Sequence, residues 1–111
     1  MKKFKCTVIG ASGFIGNEIA KYLVSKGDLV ICFDIDTTCF SKYKDLTFDY
    51  LDITDKQMCF DKLKDFDEVY NCAGVLGTSE LNDTITSAVQ VNVQGALNVF
   101  NACVANKVPR V

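Results

Sequence analysis

Histidine is absent from the 111 residues, which removes mixed Cys/His zinc sites and histidine general bases together. The six cysteines (Cys6, Cys32, Cys39, Cys59, Cys72 and Cys103) include no Cys-x-x-Cys pair. There is no basic run and no basic–aromatic alternation, and the net charge is −2, so neither nucleic acid nor an anionic membrane is an expected partner. No apolar run approaches the roughly 18 residues of a membrane helix. Met1-Lys2-Lys3-Phe4 has the charge of a secretory leader, but Lys5, Gly10, Ser12, Asn17 and Glu18 interrupt the apolar stretch behind it, and no cleavage pattern follows. Internal repeats, linkers and low-complexity tracts are missing too. These absences predict a soluble, cytoplasmic chain.

What is present is a core. Apolar residues make up 49% of the chain and charged residues 23%, enough for one packed domain over 1–111. Cys6, Cys32 and Cys72 fall in expected buried strands, so the cysteines read as reduced, small apolar fillers. Strands are expected at 4–9, 29–33, 46–50 (the weakest) and 69–73. Helices are expected at 14–26, with Ile15, Ile19, Tyr22 and Leu23 inward, and at about 56–64, capped by Thr54 or Asp55. A polar loop over 74–82 leads to a long helix over 83–106, with Ile85, Val89, Val93, Leu97, Phe100 and Val104 inward. Lys107–Val111 reads as a connector entering a fifth strand. Buried strands alternating with helices require parallel pairing through right-handed crossovers. The fold class is α/β: a doubly wound parallel sheet in the order third–second–first–fourth, ending at about the start of the fifth strand. Its switch point lies between the first and fourth strands.

The chemistry gathers at Val8-Ile9-Gly10-Ala11-Ser12-Gly13-Phe14-Ile15-Gly16, an apolar strand turning through three glycines into a helix. Gly10 permits the tight turn, Gly13 leaves the backbone bare, and Gly16 lets the helix approach the strand. Bare N–H groups at a positive helix end suit a phosphate, here the pyrophosphate of a dinucleotide. A tight strand–helix turn with no ligand is the plainer alternative. Asp34, at the carboxyl end of the second strand, is placed to accept both adenosine ribose hydroxyls and to repel a 2′-phosphate, which favours NAD over NADP. Asp36 is a second candidate, and an ordinary polar strand end is the alternative. Lys42 and Lys44 lie further into the loop.

Five motifs occur in order: Gly-x-x-Gly-Phe-Ile-Gly at 10–16, Asp34, Asp52-Ile53, Asn71-Cys72-Ala73-Gly74, and Asn92-Val93-Gln94-Gly95-Ala96-Leu97-Asn98-Val99. Together they resemble the extended short-chain dehydrogenase/reductase family, the NAD-dependent epimerase/dehydratases acting on nucleotide sugars. The resemblance implies a Rossmann domain in which Phe14 and Ile15 meet the pyrophosphate through backbone N–H groups. It implies that Asp52 accepts from the adenine amino group while Ile53 packs on the ring. Cys72, Ala73 and Gly74 would lie along the ribose and nicotinamide, and Asn92 would stand nearby on the long helix. Asp52 could equally cap a turn, and Asn92 could bridge helix and strand. Gly74–Glu80 is expected to border a substrate crevice.

The same resemblance calls for a Ser or Thr after the fifth strand and a Tyr-x-x-x-Lys acid/base pair on the next helix. Tyr22-Leu23-Val24-Ser25-Lys26 has that spacing but lies on the first helix, far from the nicotinamide end. No catalytic residue and no metal ligand is therefore assigned. The expectation is the cofactor-binding part of a nucleotide-sugar oxidoreductase, epimerase or dehydratase, inactive alone, whose sugar substrate binds only in a longer parent. A non-catalytic NAD(H) sensor or interaction module, and a methyltransferase binding S-adenosylmethionine, remain the alternatives. Residues 1–111 expressed alone, with the fourth strand as an open edge, are expected to be of low stability and to self-associate, a homo-oligomer included. Sedimentation and denaturant unfolding check this; a monomer with one sharp transition would contradict it.

Overall fold

The computed structural model describes residues 3–74 and 85–111. β1 (Lys5–Ile9) leads into α1 (Phe14–Ser25), β2 (Leu29–Asp34), a 3-10 turn at Thr37–Cys39 and β3 (Thr47–Tyr50). α2 (Lys56–Lys62) and β4 (Glu68–Asn71) follow. The last helical stretch consists of α3 (Ile85–Val89), a π-helical segment (Gln90–Gly95) and α4 (Ala96–Ala105). The sheet is parallel throughout, in the expected order β3-β2-β1-β4. Arg110 makes a further parallel bridge to Glu68, with the Val69 N–H donating to the Arg110 carbonyl at 2.9 Å, so the chain end enters beside β4 as a fifth strand would.

Alternation along β1 feeds two cores. Cys6 and Val8 join Ala20, Leu23, Cys32 and Leu46 under α1, while Ile9 joins Phe33, Leu51, Val69, Val99 and Cys103 on the side of α2 and α4. All six cysteines are free. Cys72 lies just past β4 and is half-buried, rather than within a buried strand. Two strand ends shift in ways that matter later: β2 extends to include Asp34, and β4 stops at Asn71.

Both long helices face the sheet differently from the expected apolar stripes. On α1 the inward residues are Gly16, Asn17, Ala20 and Leu23, whereas Ile15 and Tyr22 are exposed and Ile19 is only partly covered. On the last stretch Ile85, Val89, Val93, Leu97, Phe100 and Val104 all face solvent. Ala88, Gly95, Asn98, Val99, Ala102 and Cys103 are the buried ones. The physical reason is close approach. A Cβ on Gly95 would come within 2.7 Å of the Ile53 side chain, so the packed face takes small residues and the large ones turn outward.

Two buried asparagines and a half-buried one complete these contacts. Asn17 donates to the Ala11 carbonyl at 3.2 Å, and Asn98 donates to the Ile53 carbonyl at 2.8 Å. Asn106 donates to the carbonyls of Phe60 and Leu63, groups that the end of α2 leaves unpaired. At the other end of α2, the side chain of Asp55, not Thr54, accepts from the Met58 N–H at 3.0 Å. Asn98→Ala would strip the Ile53 carbonyl of its amide donor in a buried setting. Urea unfolding is expected to register a loss of about 1–3 kcal/mol; an unchanged midpoint would contradict the contact's structural role.

Candidate functional site

The β1–α1 turn is built by glycines that serve different purposes. Gly10 has φ +79°, and a Cβ there would lie 2.7 Å from the Ala73 nitrogen. A Cβ on Gly16 would collide with the Gly10 carbonyl oxygen. Both glycines are therefore demanded by the packing of the protein itself. Gly13 is not. It is the N-cap of α1 with ordinary extended geometry (φ −76°, ψ 167°), and a Cβ there would rest 3.5 Å from the Gly10 oxygen, an ordinary contact. Gly13 is exposed, and no side chain caps the helix it begins. The first N–H groups of α1, by helix geometry without intrahelical partners, stand beside it.

This corner opens onto a crevice of about 320 Å³ at the carboxyl ends of the strands, lined in part by Gly10, Ser12, Gly13, Asp34, Asp52 and Ala73. Ile53, Cys72 and Gly74 also reach its wall. Phe14, Ile15, Gly16 and Asn92 are not among its lining residues. The side chains of Phe14 and Ile15 point to solvent, 86% and 62% exposed, which leaves only their backbone available to a ligand in the turn. Gly16 sits behind the turn. Asn92 is exposed on the π-helical segment, its Oδ1 3.1 Å from where a Gly74 Cβ would be. Past Gly74, the expected crevice border at 75–80 lies outside the described residues.

The two carboxylates are already engaged. Asp34 Oδ2 accepts from the Ser12 N–H at 2.9 Å and the Ser12 hydroxyl at 2.6 Å, and Oδ1 accepts from the Asp36 N–H at 3.0 Å. Asp52 Oδ1 accepts from the Thr54 N–H at 3.0 Å and the Thr54 hydroxyl at 2.7 Å, which is the turn-capping role. Ile53 is buried beneath Gly95 with its carbonyl given to Asn98. Burial raises the Cys72 thiol above its ordinary pKa. Sequence reasoning missed Ser12, Ile35, Leu51, Ser87 and Val91 on the wall. Ser12 stood inside the glycine turn, and Ile35 and Leu51 follow directly on strand ends, which are usable signals; Ser87 and Val91 carried none.

The opposite end of the sheet holds a different cluster. Cys6, Asp28 and Glu68 bring three metal-capable donor atoms within 4.8 Å of one another. Asp28 accepts from Lys26 at 2.7 Å and from the Phe4 N–H at 3.1 Å. Glu68 accepts from Arg110 at 3.0 Å and from the Tyr70 hydroxyl at 3.2 Å. Burial, then the Glu68 carboxylate, pushes the Cys6 thiol up to about 12. The cluster is an ion-paired clasp between strand ends. Tyr22 and Lys26 border the depression beside it, away from the crevice.

Fold and crevice together define a doubly wound α/β domain with an open crevice at its switch point. The sequence model of the NAD dependent epimerase/dehydratase family matches residues 6–111, and the chain belongs to that family. The UDP-N-acetyl-alpha-D-glucosaminuronate decarboxylase of Bacillus cytotoxicus is 30% identical over 96% of this chain and 35% of its own length. The human decarboxylating sterol-4-alpha-carboxylate 3-dehydrogenase is 30% identical over 89% of this chain and 25% of its own. The UDP-glucose 4-epimerase of Thermus thermophilus, solved with NAD, superposes with a TM-score of 0.82 at 26% identity, over 94% of this chain and 35% of that one. The chain thus spans about a third or less of the relatives' length. NAD is the cofactor of the family, and no helix among the described residues is long and apolar enough to cross a membrane.

Cys72 is the one cysteine that is not buried. Under native conditions it is expected to alkylate fastest of the six, at a rate still climbing above pH 9 because its thiol is held protonated. Mass spectrometry of labelled peptides checks this; equal labelling of all six, or a plateau below pH 8, would contradict it.

Proposed function

We propose that this chain is the NAD-binding part of an oxidoreductase, epimerase or dehydratase that acts on a nucleotide sugar, and that it performs no catalysis by itself. The observation that carries this is the glycine corner. The fold tolerates a side chain at Gly13, yet none is there, and the start of α1 beside it has no cap. That is the shape a pyrophosphate requires, since its oxygens must reach backbone N–H groups without a Cβ between. The crevice is acidic where a ribose would lie: Asp34 and Asp52 are the charged residues on its described wall, and no lysine or arginine is among them.

In this reading the N–H groups of Phe14 and Ile15 hold the pyrophosphate, while the Gly13 N–H is given to the Gly10 carbonyl at 3.2 Å and Gly13 contributes its missing side chain. Asp34 takes the adenosine ribose, with Asp52 and Ile53 along the adenine. Cys72, Ala73, Gly74 and Asn92 border the nicotinamide half, Asn92 from the helix across from β4. Gly10 and Gly16 act indirectly, by bringing the three backbones together. When bound, NAD supplies a hydride acceptor; the residues here hold and orient it. Tyr22 and Lys26 take no part, since Lys26 is paired with Asp28 and both border the far depression. Six free cysteines favour a reducing, cytoplasmic setting.

The decarboxylase of Bacillus cytotoxicus and the epimerase of Thermus thermophilus support a nucleotide-sugar substrate for the whole protein. The human sterol relative, at the same 30% identity as the decarboxylase, favours a sterol carboxylate as the second reading. Turnover assays of the full-length protein with UDP-sugars and with sterol carboxylates separate the two.

Gly13→Ala and Gly16→Ala test the site directly. Gly13→Ala is expected to lower stability by no more than about 1 kcal/mol, the loss of a glycine N-cap, while weakening NAD binding about tenfold or more. Gly16→Ala is expected to destabilise the fold by about 2 kcal/mol or more through its clash with backbone. Calorimetry with NAD and NADP should show the former bound more tightly. Full NAD affinity in Gly13→Ala, or equal affinity for the two dinucleotides, would contradict the assignment.

A further inference from the structure

The part of the crevice wall formed by Leu51, Asp52 and Ile53 is the turn from β3 into α2, and much of its bonding is local. The Leu51 N–H donates to the Asp34 carbonyl at 3.3 Å, the Asp55 N–H donates to the Asp52 carbonyl at 3.0 Å, and the Asp52 side chain accepts from Thr54. Asn98 reaches this turn from α4, 45 residues further along the chain. It is buried, and its Nδ2 donates to the Ile53 carbonyl at 2.8 Å. The Cys59 thiol adds a weak bond to the same oxygen at 3.6 Å. Gln94, four residues before Asn98, donates from Nε2 to Asn98 Oδ1 at 3.0 Å. Gly95, between the two, is where the helix rests on the Ile53 side chain.

We propose that Asn98 and Gln94 are positioning residues for the crevice: Asn98 ties the Leu51–Ile53 wall to the last helical stretch, and Gln94 holds the other end of the Asn98 amide so that its donor stays on the wall. Neither residue lines the crevice, and both act through Ile53. An amide has two ends alike in shape and opposite in hydrogen bonding. A turned-over Asn98 would set Oδ1 against the Ile53 carbonyl, two acceptors with no proton between them. In the observed orientation both ends are satisfied, Nδ2 by Ile53 and Oδ1 by Gln94. The two residues differ in burial. Asn98 is buried, where a lost partner also costs stability, whereas Gln94 is exposed and its replacement leaves folding nearly untouched. That difference separates positioning from stability. The inference rests on the dinucleotide reading, in which this wall borders the adenine and the end of β4 borders the nicotinamide half.

The test measures dissociation constants of the full-length protein for ADP, which carries the adenine half, and for nicotinamide mononucleotide, which carries the other. It compares wild type, Asn98→Ala and Gln94→Met, with urea midpoints alongside. Both variants are expected to weaken ADP, Asn98→Ala about tenfold and Gln94→Met about threefold, and to leave the mononucleotide unchanged. Gln94→Met, which keeps the side chain's length and removes its donor, should do so at the wild-type urea midpoint, a split that a purely structural role would not produce. It should also move the 15N signal of Thr54, whose amide shares a peptide unit with the Ile53 carbonyl. Should Asn98→Ala fail to fold, Gln94→Met decides alone. An equal loss for both ligands, or wild-type ADP affinity in Gln94→Met, would overturn the proposal. Failure of the wild type to bind either ligand would instead overturn the dinucleotide reading, and this inference with it.

Discussion

Everything at the candidate site depends on three stretches of backbone meeting with no side chain between them. Gly10 lies against Ala73 at the end of β4, and Gly16 lies against Gly10. A methyl group at either glycine would push apart elements that the sheet register holds in place: β1 is paired to β4 from Cys6–Glu68 through Ile9–Asn71. That contact sets α1 so that its N-terminus ends over the gap between β1 and β4. The positive end of the helix dipole then lies beside the crevice, which Gly13 lines, as a consequence of packing. No lysine or arginine stands on its described wall, so in the proposed reading the helix start alone attracts the phosphates.

The two ends of the sheet divide the charges. At the amino ends, Lys26 neutralises Asp28 and Arg110 neutralises Glu68, and a buried thiol lies between the two acids. The Lys26 ammonium holds the Asp28 carboxyl below its usual range, so its contribution to stability is present at neutral pH and lost as acid protonates it. At the carboxyl ends, the acids are instead held by hydroxyls and backbone N–H groups from the turns around them. Such an arrangement fixes their direction and leaves their charge unneutralised. One end of the sheet serves cohesion and the other presents charge to the crevice.

The parts of this design that depend on short-range pattern were readable in the sequence. The continuous apolar run Leu29–Phe33, the glycine spacing at 10, 13 and 16, and an acid one step beyond a buried strand each report on their own neighbourhood. Parallel pairing followed from alternation and handedness, and the strand order from the doubly wound fold class. Helix orientation did not follow, because the stripe rule sends the largest apolar residues inward. Here Gly16 and Gly95 let helices approach so closely that Ala20, Ala88, Ala102 and Cys103 fill the contact, and Ile15, Leu97 and Phe100 are left outside. The role of Asn98 was equally hidden, since a polar residue gives no periodic signal when its purpose is one distant carbonyl. The crevice wall was legible where it coincided with strand ends and invisible where α3 and the π-helical segment contribute Ser87 and Val91.

The central claim is that a dinucleotide's pyrophosphate sits on the bare start of α1. Titration of NAD into uniformly 15N-labelled protein, followed by amide NMR shifts, tests it most directly. The account predicts that the largest saturable shifts fall on Phe14 and Ile15, with smaller ones at Ser12, Gly13 and Ala73. Unmoved amides at 13–15, with saturable shifts gathered instead around Tyr22 and Tyr70 at the far depression, would contradict it.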